Sequence, residues 1–442
     1  MPPAMPPGDT APVDGLLPPP RVAPAQDRAL GIYIHVPFCR VRCGYCDFNT
    51  YTAQELGSGA DTTAGYLDAA LSEMDLAERV LSQHRVQAPA LDPKVVPAPT
   101  PVHAAERRAC PPVETIFIGG GTPTLLPVDH LGALLAGVER RWGITADAEV
   151  TTEANPDTLN ASVATGLARA GFTRVSIGMQ SAVPHVLTTL DRTHVPSHLP
   201  TAVNAVKAAG MQVSLDLIYG TPGESIDDWR RSVQTALDLE PDHVSAYALT
   251  IEEGTAMGAA VRRGTVPMPT DDDEADKYEL ADELLAEAGY QWYEISNWAR
   301  RSDARCRHNL AYWRGQDWWG IGPGAHSHVD GTRWWNVKHP SAYGARLHAR
   351  RSPALAREVL TEAQRYDERV MLGLRLVQGV PIASLREDSD RPVAHLLDRG
   401  LLNTESAQGG YAVLTRQGRL LADTAVHALL AEDRGSPQRR MR

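Results

Sequence analysis

HVPFCRVRCGYCDFNTY, His35–Tyr51, begins inside the apolar run GIYIHVP that starts at Gly31. Cys39, Cys43 and Cys46 stand in it as C-x3-C-x2-C, so one loop leaving a strand end can wrap three thiolates around three corners of a cubane [4Fe–4S] cluster. The fourth iron then has no protein ligand. The amino and carboxylate groups of S-adenosylmethionine (SAM) can chelate such an iron and bring the sulfonium within reach of an electron. Structural zinc wants four ligands in paired spacings, and no fourth ligand follows here. The chain has five cysteines, an odd number, which suits a metal site in a reducing compartment better than a disulfide framework. Tyr45, between the second and third cysteines, either shields the cluster and packs against adenine or serves as a plain hydrophobic plug.

Outward from this loop, apolar β-rich runs alternate with amphipathic helical ones. The runs are GIYIHVP at Gly31, VETIFIGG at Val113, AEVTTEAN at Ala148, FTRVSIGMQ at Phe172, VSLDLIYG at Val213 and HVSAYALT at His243. Apolar residues at three- and four-residue spacing predict helices over Leu131–Trp142, Ser225–Leu239 and Asp271–Ala288. The repeat predicts an α/β fold, a partial or complete (β/α) barrel of parallel strands, over about 29–300. A Pro-rich insertion interrupts it near 83–112 and carries Cys110, read as a bystander.

Barrel ligands gather at the C-terminal ends of strands, and the informative residues stand there. The glycines Gly119 to Gly121 in IFIGGGTPT let backbone groups approach a ligand without side-chain interference. Glu153 and Asp216 can accept hydrogen bonds from ribose hydroxyls or an amino group, or else cap the following helices. Gln180 and Arg192 can meet a carboxylate or ribose, or belong to an ordinary polar rim.

The ends of the chain differ from this pattern. Residues 1–28, rich in Pro and Ala, have little to bury and are expected to form a flexible tail, as are 433–442. From Thr361 the pattern becomes helix, short helix, LLN…YAVLT and a last helix, a small winged-helix-like domain over 356–432, with a connecting region at 301–355. Its acidic residues, among them Glu362, Asp367 and Glu387, favour packing or partner contact over DNA. The net charge of −11 over 442 residues argues against a general nucleic-acid binder. The N-terminus lacks a signal peptide's basic and apolar regions, and no apolar run approaches the roughly 20 residues that span a bilayer. A cytoplasmic protein without stable membrane insertion is expected.

YIHVPFC-x3-C-x2-C, FIGGGTPT, the Glu of TTEANPD, SIGMQS, DLIYGTPGES, RHNLAYW, GIGPGAHS and the C-terminal domain occur in one order. In these the chain resembles the oxygen-independent coproporphyrinogen III oxidase family of radical SAM proteins, and within it the heme-chaperone branch, from about Gly31 to the C-terminus. The resemblance implies that SAM is contacted by Tyr33, Gly120, Gly121, Thr122, Glu153, Gln180, Arg192, Asp216 and Ala248, with the cluster on Cys39, Cys43 and Cys46 and Tyr45 in the aromatic position. Decarboxylating members carry a further cysteine two residues after the third, where this chain has Phe48. Arg307–Trp313, RHNLAYW, matches the HNxxYW signature of the chaperone branch, which makes His308 the expected heme ligand. Neutral imidazole suits heme iron, Tyr312 or Trp313 can cover the porphyrin, and Arg305, Arg307 or Arg314 can meet propionates. From the residues alone, His308 and Asn309 in a surface turn, with Tyr312 and Trp313 in the core, is the favoured reading, and only the resemblance reverses it. Cys306 is either a small buried residue or a thiol near heme.

Three functions follow. The first is heme uptake and delivery to an acceptor protein, with cluster and SAM controlling conformation or release. The second is SAM-dependent oxidative decarboxylation of coproporphyrinogen III to protoporphyrinogen IX. The third, action on a tRNA base, needs a basic groove that the composition does not advertise.

Overall fold

The computed structural model describes residues 7–20, 29–56, 63–86 and 112–431. Its chain divides into two compact units, one made of 1–291, 298–311 and 316–359, the other of 292–297, 312–315 and 360–442.

The first unit is built on six parallel strands: β1 (Leu30–Val36), β2 (Val113–Gly120), β3 (Ile144–Ala154), β4 (Arg174–Gln180), β5 (Gln212–Tyr219) and β6 (His243–Ala248). They pair in chain order, with Ile32 beside Ile116 and Asp216 beside Ser245. Helices α1 (Thr63–Val86), α2 (Val128–Arg141), α3 (Ala161–Ala170), α4 (Leu199–Ala208) and α5 (Ile226–Asp238) return the chain between successive strands. After β6 comes α6 (Asp271–Glu287). Such crossovers lay the helices over the outer face of the sheet while its inner face turns into the barrel interior, and β1, central in the sheet, is buried along almost its whole length. Helix α2 buries Leu131, Leu134, Leu135 and Val138, the three- and four-residue stripe read from the sequence. Helix α5 starts in a capping box in which the Ser225 hydroxyl accepts from Asp228 N and the Asp228 carboxylate accepts from Ser225 N. This is a partial (β/α) barrel, since the two edges of the sheet do not pair with each other.

Two expectations are corrected. The region 301–355 is not merely connecting: β7 (Asp317–Ile321) pairs parallel with β1, and β8 (His326–Val329), β9 (Thr332–Asn336) and β10 (Ala354–Val359) continue antiparallel from it. Nor is 7–20 a loose tail. Asp9 and Thr10 pair with Arg357 and Ala356, Leu17 is buried, and Ser352 N donates to Val13 O. What orders this polar segment is the edge of β10, which is distant in sequence. Residues 1–6 and 21–28, Cys110 and the tail 433–442 lie outside the described residues.

In the second unit, helices Glu362–Gly373, Asp390–Asp398 and Ala422–Leu430 surround a core that includes Val370, Leu396, Leu401 and Leu429. A two-stranded ladder joins Val380–Pro381 to Tyr411–Ala412. Among the described residues no helix is long and apolar enough to cross a membrane.

Candidate functional site

The C-terminal ends of β1 to β6 open into a cavity of about 570 Å³. Twelve of the fourteen sequence-predicted site residues line it: Cys39, Cys43, Cys46, Tyr45, Gly120, Gly121, Thr122, Glu153, Gln180, Arg192, Asp216 and Ala248. Tyr33 and His308 do not.

All three thiols of the loop after β1 are free and half-buried. Burial and the neighbouring Cys46 push the Cys39 thiol up to about 11, and burial raises Cys46 too. Protonated thiols crowded together in a partly dry site suit a metal that displaces their protons. Space is reserved for it: a side chain at Gly121 would collide with Phe38 O and stand 3.1 Å from Cys39 Sγ. Arg192 donates to Cys43 Sγ at 3.6 Å and to Gly178 O at 2.9 Å, so one guanidinium ties the loop to the end of β4. The donor set and the cradle both fit an iron–sulfur cluster.

Glu153 and Asp216 are half-buried carboxylates facing the same cavity as the thiols. Glu153 accepts from Gly120 N at 2.9 Å, yet burial, together with Asp216, lifts its carboxyl to about 7. Burial likewise raises Asp216, although the Ser176 hydroxyl lies 2.8 and 3.0 Å from its two oxygens and donates to them. A ligand carrying an ammonium or sulfonium relieves that penalty by adding positive charge beside the two carboxyls. Gln180 sits at φ 63°, in the left-handed region, where β4 ends.

Tyr33 and His308 belong instead to a layer below the cavity. The Tyr33 hydroxyl bonds His35 Nδ1 at 2.9 Å, and its ring stacks on Phe117. His308 is 1% exposed, bonds Thr115 Oγ1 through Nδ1 at 2.9 Å and stacks on Phe117 at 5.4 Å. Burial drops its pKa to about 3, so the imidazole is neutral. The segment is a helix, Arg307–Trp313, and not a surface turn. Glu149 Oε2 accepts from Arg307 N at 2.8 Å and Oε1 from His308 N at 3.1 Å, satisfying the first donors of that helix, while Arg174 stands 3.5 Å from Glu149. Cys306 is buried and donates to Glu149 Oε1 at 3.4 Å. Tyr312 and Trp313 fall in the second unit.

Among the cavity residues that the sequence reading passed over are Asn155, Thr151 and Arg174. Asn155 accepts from Arg192 through Oδ1, and its signal was its place two residues after Glu153. Thr151 and Arg174 are almost wholly buried on the cavity floor, and each faces inward by the strand alternation that also presents Glu153 and Ser176.

Comparison with known proteins agrees with this geometry. Residues 33–236 match the radical SAM superfamily and 360–421 the HemN C-terminal domain. The chain is 46% identical over 413 residues to the heme chaperone HemW of Mycobacterium tuberculosis, covering 93% of this chain and 97% of that one. It is 34% identical to the heme chaperone HemW of Escherichia coli over 418 residues, covering 91% and 98%. Among solved structures it is similar to coproporphyrinogen III oxidase (HemN) from Escherichia coli, with a TM-score of 0.71 over 92% of this chain and 91% of that one. The identity there is 21%, so the likeness is one of fold.

Proposed function

The chain belongs to the HemW family of radical SAM proteins with a HemN C-terminal domain, and from that premise we propose that it binds heme and passes it to an acceptor protein. Cys39, Cys43 and Cys46 hold a [4Fe–4S] cluster in this reading. Gly120, Gly121, Thr122, Glu153, Gln180, Arg192, Asp216 and Ala248 would hold SAM beside it, with Tyr45 lining the same cavity. The observation that carries the cofactor assignment is the convergence of three thiols and two half-buried carboxylates on one strand-end cavity. When bound, cluster and SAM would supply one-electron chemistry at the sulfonium. The residues of this chain exclude water, orient the ligand through Arg192 and Glu153, and neutralise its positive charge.

For heme, support comes from the relatives' function and from the cavity mouth. Val41, Phe48 and Tyr247 line the cavity while remaining 47%, 57% and 40% exposed, and Arg40 stands beside them. Exposed apolar side chains around one opening suit a flat apolar ligand with charged substituents. His308 becomes an axial ligand only if the helix Arg307–Trp313 leaves Thr115, Phe117 and Glu149. Tyr33 acts on SAM, in this reading, through His35 and Phe117 rather than by contact.

Heme titration followed by visible absorption, with transfer to a heme-free acceptor, tests the proposal. Saturable binding and transfer are expected. Anaerobic incubation with SAM, reductant and coproporphyrinogen III is expected to leave the porphyrinogen intact, and formation of protoporphyrinogen IX would replace delivery with decarboxylation.

A further inference from the structure

GIGPGAHS, Gly320–Ser327, stands out in the sequence but contributes nothing to the cavity lining. Its turn is held from two sides. On one side the fully buried Glu73 of α1 accepts from Gly322 N and Asn336 Nδ2, both at 2.8 Å, and from the Tyr343 hydroxyl. Asn336 Nδ2 also donates to Gly322 O at 2.9 Å, and Gly324 N to Val337 O at 2.9 Å.

On the other side lies Asn49, three residues beyond Cys46. Its Nδ2 donates to Pro323 O at 2.9 Å and Lys338 O at 2.8 Å, so both amide hydrogens are used. Its Oδ1 accepts from the Tyr51 hydroxyl at 3.2 Å, and its backbone oxygen accepts from His35 Nε2 at 2.8 Å. The contact is close enough to dictate the glycines. A Cβ on Gly324 would lie 2.5 Å from Asn49 Nδ2, and one on Gly322 would lie 2.5 Å from His35 O. Backbone angles agree, with φ 110° at Gly322 and 74° at Gly324.

We infer that Asn49 is the positioning residue of the cluster loop: its amide, locked into the Gly322–Ala325 turn, fixes where the chain leaving Cys46 must run. Three thiolates on a loop of eight residues hold a cubane only if both ends of the loop are fixed. β1 anchors the end at Cys39, and Asn49 anchors the end at Cys46. A buried amide donating twice to carbonyl oxygens specifies that geometry far more narrowly than packing alone, because a slip of the loop leaves two carbonyls unpaired. Groups that orient metal ligands in this way typically carry roughly ten- to a hundredfold of metal affinity.

This inference rests on the cluster reading, and its test separates the two. The full-length chain, Asn49→Asp and Asn49→Ala are reconstituted anaerobically with iron and sulfide. Iron per chain, the electron paramagnetic resonance of the reduced cluster, the rate of iron loss to a chelator and the far-ultraviolet circular dichroism are then compared. Asn49→Asp keeps the shape but turns an acceptor toward two carbonyls; Asn49→Ala removes the donors without adding charge. Both are expected to keep native circular dichroism while losing iron roughly ten- to a hundredfold faster than the intact chain, with an altered resonance signal. Iron retention equal to the intact chain in a folded Asn49→Ala overturns the positioning role, and that variant decides should the aspartate fail to fold. An intact chain that takes up no iron overturns the cluster itself.

Discussion

The loop Cys39–Cys46 and the helix start Cys306–Asn309 both offer side chains that bind metals, but the fold treats them in opposite ways. Around the first, thiols are half-buried, the Glu153 and Asp216 carboxyls are held above their ordinary range by burial, and a glycine leaves room beside Cys39. Around the second, Cys306 meets Glu149, His308 meets Thr115 and Phe117, and the leading amides of the helix are capped. A side chain's chemistry nominates a site; unsatisfied surroundings make one.

The sharpest way to break this contrast is Cys43→Ala. It should abolish cluster reconstitution, measured as loss of the iron–sulfur absorbance and of chelatable iron, with the fold intact by circular dichroism. Next in size is Glu149→Ala, which leaves Arg174 without its ion pair and uncaps the helix at Arg307. A cost of about 3–5 kcal/mol is expected for removing one partner of a buried pair, read by urea denaturation. His308→Ala removes one buried hydrogen bond and a stacked ring and should cost about 2–3 kcal/mol. Should it instead leave stability untouched while abolishing heme binding, the helix start would have to be a ligand site after all.

A smaller effect concerns pH. The Glu153 carboxyl titrates near 7, so it is neutral at pH 6 and ionised at pH 8. SAM, a cation, should bind about tenfold more tightly at pH 8 than at pH 6, by isothermal calorimetry, and Glu153→Gln should flatten that dependence. Glu73 behaves likewise in stability. Burial lifts its carboxyl to about 7, so the folded chain keeps a proton that the unfolded chain releases near the ordinary carboxylate value. Between those values stability falls as pH rises, and the advantage of the intact chain over Glu73→Gln should shrink from pH 5 to pH 8 in thermal melts.

How far the sequence reached depended on whether the cause was local. Runs such as VETIFIGG declare a buried parallel strand by themselves, and β2 occupies the stretch Val113–Gly120. DWWGI and TRWWN mix tryptophan with polar residues and HSHV is mostly polar, so β7, β8 and β9 carry no alternating signal and the sequence ends the sheet too early. Strand-end placement brought twelve of fourteen expected residues to one cavity, because a parallel repeat puts strand ends on one side. His308 escaped because its partner Thr115 lies 193 residues away. The order in 7–20 escaped for the same reason, being supplied by Ser352 and Arg357.

That short pairing of Asp9 and Thr10 along β10 has a consequence for solubility. A strand at the rim of a sheet displays a row of unpaired amides and carbonyls, which is a template for joining a second molecule. Asp9 and Thr10 occupy part of that row, and Arg357 Nη1 reaches across to Leu16 O. A chain shortened to begin after Leu17 would uncover it, and the damage would show as self-association, with the cavity and its thiols left as they are.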